Sequence, residues 1–186
     1  MNPLLPAVSY FGIVIIAAHF FAPPGYSWTH NTISDLGSQG HTHKWVMQAG
    51  FIGFGILLAG GLAVKSRLSG RINPADVLVL FYGLAILVTG FFCAAPITNS
   101  LVYSPGEAQL HSLFATLAGV SLSLGLLWYL IAAVSTSERL FHLVFLVLIP
   151  TLSLFFGLAE NGDLPVGQGI IQRLLYLTGF LWLVLL

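Results

Sequence analysis

Residues 45–64 read WVMQAGFIGFGILLAGGLAV, twenty positions without an Asp, Glu, Lys or Arg, and the run closes on Lys65. A helix of about 20 residues crosses the roughly 30 Å hydrocarbon layer of a bilayer. The run lacks the alternating polarity of a barrel strand, and unpaired amides in hydrocarbon cost several kcal/mol each, so a spanning helix is the predicted conformation. Outward from this segment the same character recurs in Pro3–Ala22, Asp76–Ala95, Pro105–Val134, Arg139–Leu158 and Gly169–Leu186. The predicted fold is an all-α integral membrane protein: one six-helix transmembrane bundle occupying residues 1–186, with no separate soluble domain.

Composition agrees with that reading. Of 186 residues, 57% are hydrophobic and 6% charged, with a mean hydropathy of +0.94; soluble domains are about a quarter charged. Six Lys and Arg balance six Asp and Glu. No net field or basic stripe is present to hold nucleic acid. The single cysteine, Cys93, excludes an internal disulfide and every multi-cysteine metal motif.

Cationic residues in short loops are retained on the cytoplasmic side. Lys65, Arg67 and Arg71 fall between the second and third spans and Arg139 between the fourth and fifth, which predicts both termini inside and the other three loops outside. Lys44 and Arg173 run against the bias. The first span has no basic leader and no small-residue cleavage site, so it reads as a retained helix.

Helix starts follow from capping chemistry. Asn73-Pro74-Ala75-Asp76, Ser104-Pro105-Gly106-Glu107 and Ser135-Thr136-Ser137-Glu138 each place a carboxylate three positions after a capping residue. Asp76 and Glu138 therefore read as carboxylates at the positive ends of helix dipoles. Pro150 is expected to kink the fifth span.

Most other polar groups fall in the outer half. The first outer loop, residues 25–44, contains His30, Ser34, Asp35, His41 and His43; the second contains Thr98, Asn99, Ser100, Tyr103, Ser104 and Glu107, with His111 a turn further on. The third carries Glu160, Asp163 and Gln168, followed by Gln172 and Arg173. Solvated loops explain such residues in any membrane protein, but an ionisable side chain within a span normally faces protein or a water-filled cavity. Counting in fours, Glu107, His111, Ala115, Gly119 and Ser123 form a stripe of largely small residues that predicts an inward His111. The same small-residue faces suit self-association into a homo-oligomer. Arg173 is a candidate to pair with Asp35, Glu160 or Asp163, to clamp an anionic headgroup, or to snorkel. His30 or His43 with His111 and Asp35 is the candidate set for a divalent metal such as zinc, although neither HExxH nor His-x3-His is present. Ser34 beside Asp35 suggests nucleophilic chemistry, without a GxSxG elbow. A haem held by His19 and His111 ranks last among the readings.

Ile33-Ser34-Asp35-Leu36-Gly37, His111, and Gly169-Ile170-Ile171-Gln172-Arg173 resemble the pattern of the domain of unknown function 998 membrane proteins of bacteria and archaea. The first element is also similar to one in the FRAG/DRAM six-span family, whose members are associated with lipid remodelling and membrane trafficking. The resemblance implies six membrane helices with preferred positions at Ser34, Asp35, Gly37, His111 and Arg173, and supplies no reaction.

The expected function is engagement of a membrane lipid or lipid-linked ligand in an outward-facing polar pocket. In an enzyme, His111 would serve as base or metal ligand, Asp35 would orient it, and Ser34 would be its neighbour. Arg173, Gln172, Glu160, Asp163 and Glu107 would hold the ligand. The alternatives are a non-catalytic binding or assembly protein and a small transporter subunit. The inner halves of the spans offer little polar lining for conduction.

Overall fold

The computed structural model describes residues 2–98 and 102–186, so Asn99 and Ser100 of the second outer loop lie outside the described residues. Six α-helices follow in order: α1 Leu5–His19, α2 Lys44–Ser69, α3 Pro74–Thr89, α4 Pro105–Ala132, α5 Thr136–Glu160 and α6 Gln168–Leu185. A short 3₁₀ helix, Ser34–Gly37, interrupts the loop between α1 and α2, and the described residues contain no strand. Helices α2, α4, α5 and α6 are long and apolar enough to cross a membrane; α1 and α3 are apolar but shorter.

Two expected spans end early for a local reason. After His19 and after Thr89 the backbone tightens into i→i−3 bonds, Phe20 N–H to the Ala17 carbonyl and Phe92 N–H to the Thr89 carbonyl, which stop the helices before Ala22 and Ala95. At the starts, Asn73 caps the Ala75 amide and Ser104 the Glu107 amide, and Ser135 with Glu138 forms a reciprocal capping box. Helix α5 continues through Pro150.

Each helix packs on its successor, and α6 returns to α1, so the bundle closes as a ring. Asn2 Nδ2 donates to the carbonyls of Leu183 at 2.9 Å and Val184 at 2.8 Å, bringing the starting and finishing segments together at one end. Lipid offers no hydrophobic gain for helix association, so the contact depends on close packing. A Cβ at Gly55 would strike the Gly83 carbonyl oxygen, and one at Gly61 the Pro3 carbonyl oxygen, which is how α2 lies tight against both α1 and α3.

Phe11, Phe51, Phe54, Leu126 and Trp182 are buried in the middle of the ring. Phe11 meets the rings of Phe51, Phe54, Tyr176 and Phe180 at 5.2–5.7 Å between centroids, forming an aromatic layer. Large apolar side chains on α5, among them Leu143, Val147 and Leu154, point outward, as lipid-facing positions do.

The inward side of α4 differs from the expected stripe. Its buried positions are His111, Ala118, Leu122, Gly125, Leu126 and Tyr129, whereas Ala115 is exposed and Gly119 meets nothing within 4 Å. Steps of four residues advance about 40° beyond a full turn each time, so such a row drifts off the contact face. His111 is inward all the same, because it shares its face with Ala118, Leu122 and Gly125.

Candidate functional site

The loop between α1 and α2 folds inward, burying Thr32, Ile33, Leu36, Gly37 and Ser38. Its 3₁₀ helix is held by a reciprocal pair: Asp35 Oδ2 accepts from the Thr32 amide at 2.7 Å and the Asp35 amide donates to Thr32 Oγ1 at 3.1 Å. Asp35 thus acts as the carboxylate of a capping box. Burial pushes its carboxyl above the usual carboxylate range, against the hydrogen bonds from Thr32. Ser34, half-buried, begins the 3₁₀ helix beside it.

The opening of α6 docks onto this loop. Gln172 Oε1 accepts from the Ile33 amide at 2.5 Å, and the Ile170 amide donates to the Thr29 carbonyl at 3.2 Å. A Cβ at Gly169 would collide with the Asn31 and Trp28 carbonyl oxygens, so only glycine admits the approach. The Ile33–Gly37 and Gly169–Arg173 elements are therefore two sides of one contact.

Arg173 completes it. Nη1 donates to the carbonyls of Asn31 at 3.0 Å and Gly169 at 2.9 Å, while Nη2 donates to His19 Nε2 at 3.0 Å and to the Tyr26 hydroxyl at 2.5 Å. The Tyr26 hydroxyl donates to the Thr32 carbonyl at 3.0 Å, and burial raises the phenol's pKa above its ordinary value. His19 also bonds the Ile15 carbonyl through Nδ1 at 2.7 Å. A carbonyl only accepts, so the ring hydrogen is on Nδ1 and Nε2 receives the guanidinium. Both nitrogens of His19 are engaged, which leaves no lone pair for a haem iron. Arg173 pairs with none of Asp35, Glu160 or Asp163: the one salt bridge among the described residues joins Lys65 and Asp76. Glu160 and Asp163 are exposed.

On the other flank, Gln39 and Ser104 exchange two bonds, Ser104 N–H to Gln39 Oε1 at 2.7 Å and Gln39 Nε2 to the Ser104 carbonyl at 2.9 Å. The Gln39 amide reaches the Ala94 carbonyl at 3.0 Å. Glu107 accepts from the Cys93 amide at 2.8 Å, which fixes the second loop to α4. Burial keeps the Cys93 thiol protonated beyond its usual range.

His111 lies where these contacts meet. Its Nδ1 is 2.9 Å from the Phe92 carbonyl, its ring sits edge-on to Phe51 at 5.9 Å, and the residue is 5% exposed. Asp35 and Glu107 are both within electrostatic reach. Among the described residues, His111 Nε2 is the buried side-chain polar atom that has no hydrogen-bond partner.

The remaining histidines stand elsewhere. His30 Nδ1 bonds Thr29 Oγ1 at 2.8 Å and Ser27 Oγ at 3.2 Å, and His43 packs on Phe21 at 5.0 Å and on His41 at 5.9 Å. His111, Asp35, His30 and His43 do not assemble as the expected set: among the described residues no group of three or more His, Cys, Asp or Glu could hold a metal ion.

A second polar cluster at the opposite end was not expected. Lys65 Nζ lies 2.9 Å from Asp76 Oδ1 and 2.7 Å from the Tyr129 hydroxyl, which donates to the same Asp76 oxygen. His142 stacks on Tyr129 at 5.2 Å and accepts from Trp182 Nε1 at 3.3 Å. Asp76, read as a helix-start carboxylate, is 8% exposed and ion-paired, while Asn73 does the capping. The available signal was Lys65 closing an apolar run eleven residues before Asp76. A cavity of about 270 Å³ lined by Asn2, Leu4, Lys65 and Val184–Leu186 opens beside this cluster.

A family model described as Protein of unknown function (DUF998) matches residues 6–186. No curated protein and no solved structure matches the chain.

Proposed function

We propose, for a chain that belongs to the DUF998 family of proteins of unknown function, that six helices span the membrane and that an outward-facing polar site on His111 and Asp35 engages a lipid or lipid-linked ligand. The observation that carries this reading is His111 Nε2, a buried polar atom with no protein partner. Such atoms are rare because each costs about 1–3 kcal/mol, and a native protein that keeps one commonly uses it. His111 serves as hydrogen-bond acceptor and base, with Asp35 as the charge that steadies a proton arriving there. Arg173 is a positioning residue in this scheme, since its four bonds hold the first loop and α6 in register. The aromatic layer between the two polar clusters favours a site opening to one side over a conducting pore.

Native mass spectrometry of the protein released from nanodiscs of a polar lipid extract tests the reading. A retained lipid that is lost in His111→Gln, with the unfolding temperature unchanged, supports it; no retained lipid on the wild type overturns it. The proposed sidedness, with the termini in the cytoplasm and the His111 layer outside, is supported by the cations Lys65, Arg67, Arg71 and Arg139 in two of the connections. In a Cys93→Ser background, Asp163→Cys is expected to react with an impermeant maleimide on intact cells and Ser69→Cys only after permeabilisation. The reverse pattern would invert the topology.

A further inference from the structure

Resting on that reading, we infer that the ligand group meeting His111 is a hydroxyl hydrogen, and that the lipid the site selects is a neutral alcohol, of which diacylglycerol is the simplest case, in preference to a phosphorylated headgroup. The argument begins with the Phe92 carbonyl. It can only accept, so at 2.9 Å it fixes the ring hydrogen on His111 Nδ1 and leaves Nε2 with a buried, unfilled lone pair. A lone pair requires a donor. An ionised phosphate oxygen is itself an acceptor and cannot supply one.

The charges around the ring point the same way. Asp35 and Glu107 both lie within electrostatic reach of His111, and Lys44 acts on the same flank through Cys93, to which Glu107 is bonded. Two carboxylates against one ammonium disfavour a second anion. Arg173, the cation that sequence reading assigned to a headgroup, has both terminal nitrogens bonded to Asn31, Gly169, His19 and Tyr26. A phosphate could engage them only by displacing the bonds that hold the loop.

The walls suit an acyl chain. Phe51 packs T-shaped with the imidazole at 5.9 Å, and Phe92, whose carbonyl holds Nδ1, stacks on Phe114 at 5.9 Å. Because Nε2 is buried, a lipid alcohol would place its hydroxyl there only as the packing over the ring opens. Water can offer the same donor, and the experiment separates the two.

The test uses protein carrying ¹⁵N-labelled histidine in phosphatidylcholine nanodiscs at about pH 9, where a phosphate monoester keeps no hydroxyl hydrogen, alone, with diacylglycerol, or with phosphatidic acid of the same acyl chains. His111 resonances are assigned by their loss in His111→Gln. In lipid alone, the expected state is a neutral ring with hydrogen on Nδ1. Diacylglycerol is expected to shift the Nε2 resonance and to be retained in native mass spectra about tenfold or more over phosphatidic acid, because a site built around one hydrogen bond rejects the analogue that cannot make it. His111→Gln is expected to abolish that preference. Equal or stronger retention of phosphatidic acid overturns this inference while leaving lipid engagement standing. An Nε2 resonance unmoved by diacylglycerol, with other lipid bound, identifies water as the donor and likewise overturns it. An imidazolium in every condition removes the acceptor on which it rests, and retention of no lipid at all overturns the proposed function as well.

Discussion

Arg173 donates to His19 across 3.0 Å, joining the end of α1 to the start of α6 through a cation that has no carboxylate partner among the described residues. The pairing depends on guanidinium geometry. Arg173→Lys keeps the charge but cannot serve four acceptors on two fronts. A loss of about 2 kcal/mol or more is expected, read as a lower unfolding temperature in detergent. Wild-type stability in Arg173→Lys would show that charge alone matters there.

The Lys65–Asp76–Tyr129 cluster makes an opposite prediction for single and paired changes. Asp76→Ala strands the Lys65 ammonium beside Tyr129 and is expected to destabilise by roughly 3–5 kcal/mol. Adding Lys65→Met is expected to recover much of that loss, because a neutral pair carries no uncompensated charge. Additive losses in a double-mutant cycle would count against the ion pair.

The Asp35 carboxyl binds its proton more readily in the folded chain than in the unfolded one, because burial raises its pKa. As pH rises from about 4, the unfolded chain releases that proton first, so the folded state holds more protons and stability falls until the folded carboxyl also ionises. Asp35→Asn retains an oxygen for the Thr32 amide and removes the titration. Unfolding temperatures recorded from pH 3.5 upward are expected to decline less steeply in the variant; parallel curves would mean that burial does not raise this group.

Gly169→Ala places a methyl against the Trp28 and Asn31 carbonyls, whereas Gly119→Ala meets open space. The first is expected to destabilise by about 1–3 kcal/mol through overpacking. The second should be neutral or stabilising by up to about 1 kcal/mol through helix propensity. Equal effects would contradict the docking of the first loop on α6.

The helices were readable because hydrophobic length and capping chemistry are local. Roles of individual carboxylates were not, because they depend on partners far away in sequence. Asp76 has the spacing of a cap but is paired with Lys65, and Asp35, which had no evident structural role, caps the 3₁₀ helix through Thr32. Both sit near helix starts, and sequence spacing cannot tell whether a side chain turns back to its own backbone or across to a neighbour. His111 was identified as inward-facing through a row of fours that drifts off the face, while its actual companions are Ala118, Leu122 and Gly125. Arg173 reads in the sequence as a partner for a carboxylate or a headgroup, but its acceptors are backbone carbonyls, a tyrosine and a histidine, which no charge pattern encodes.

The closure of α6 on α1 also constrains how the protein is made. Five helices can each settle against the one synthesised just before, but His19 Nε2, the Ile33 amide and the Asn31 carbonyl receive their bonds only from Gln172 and Arg173. Until α6 is in place, a five-helix chain lacks the partners that those three groups have in the folded protein. Completion of this layer thus waits on the last helix, and a chain cut short before residue 172 cannot make any of these bonds.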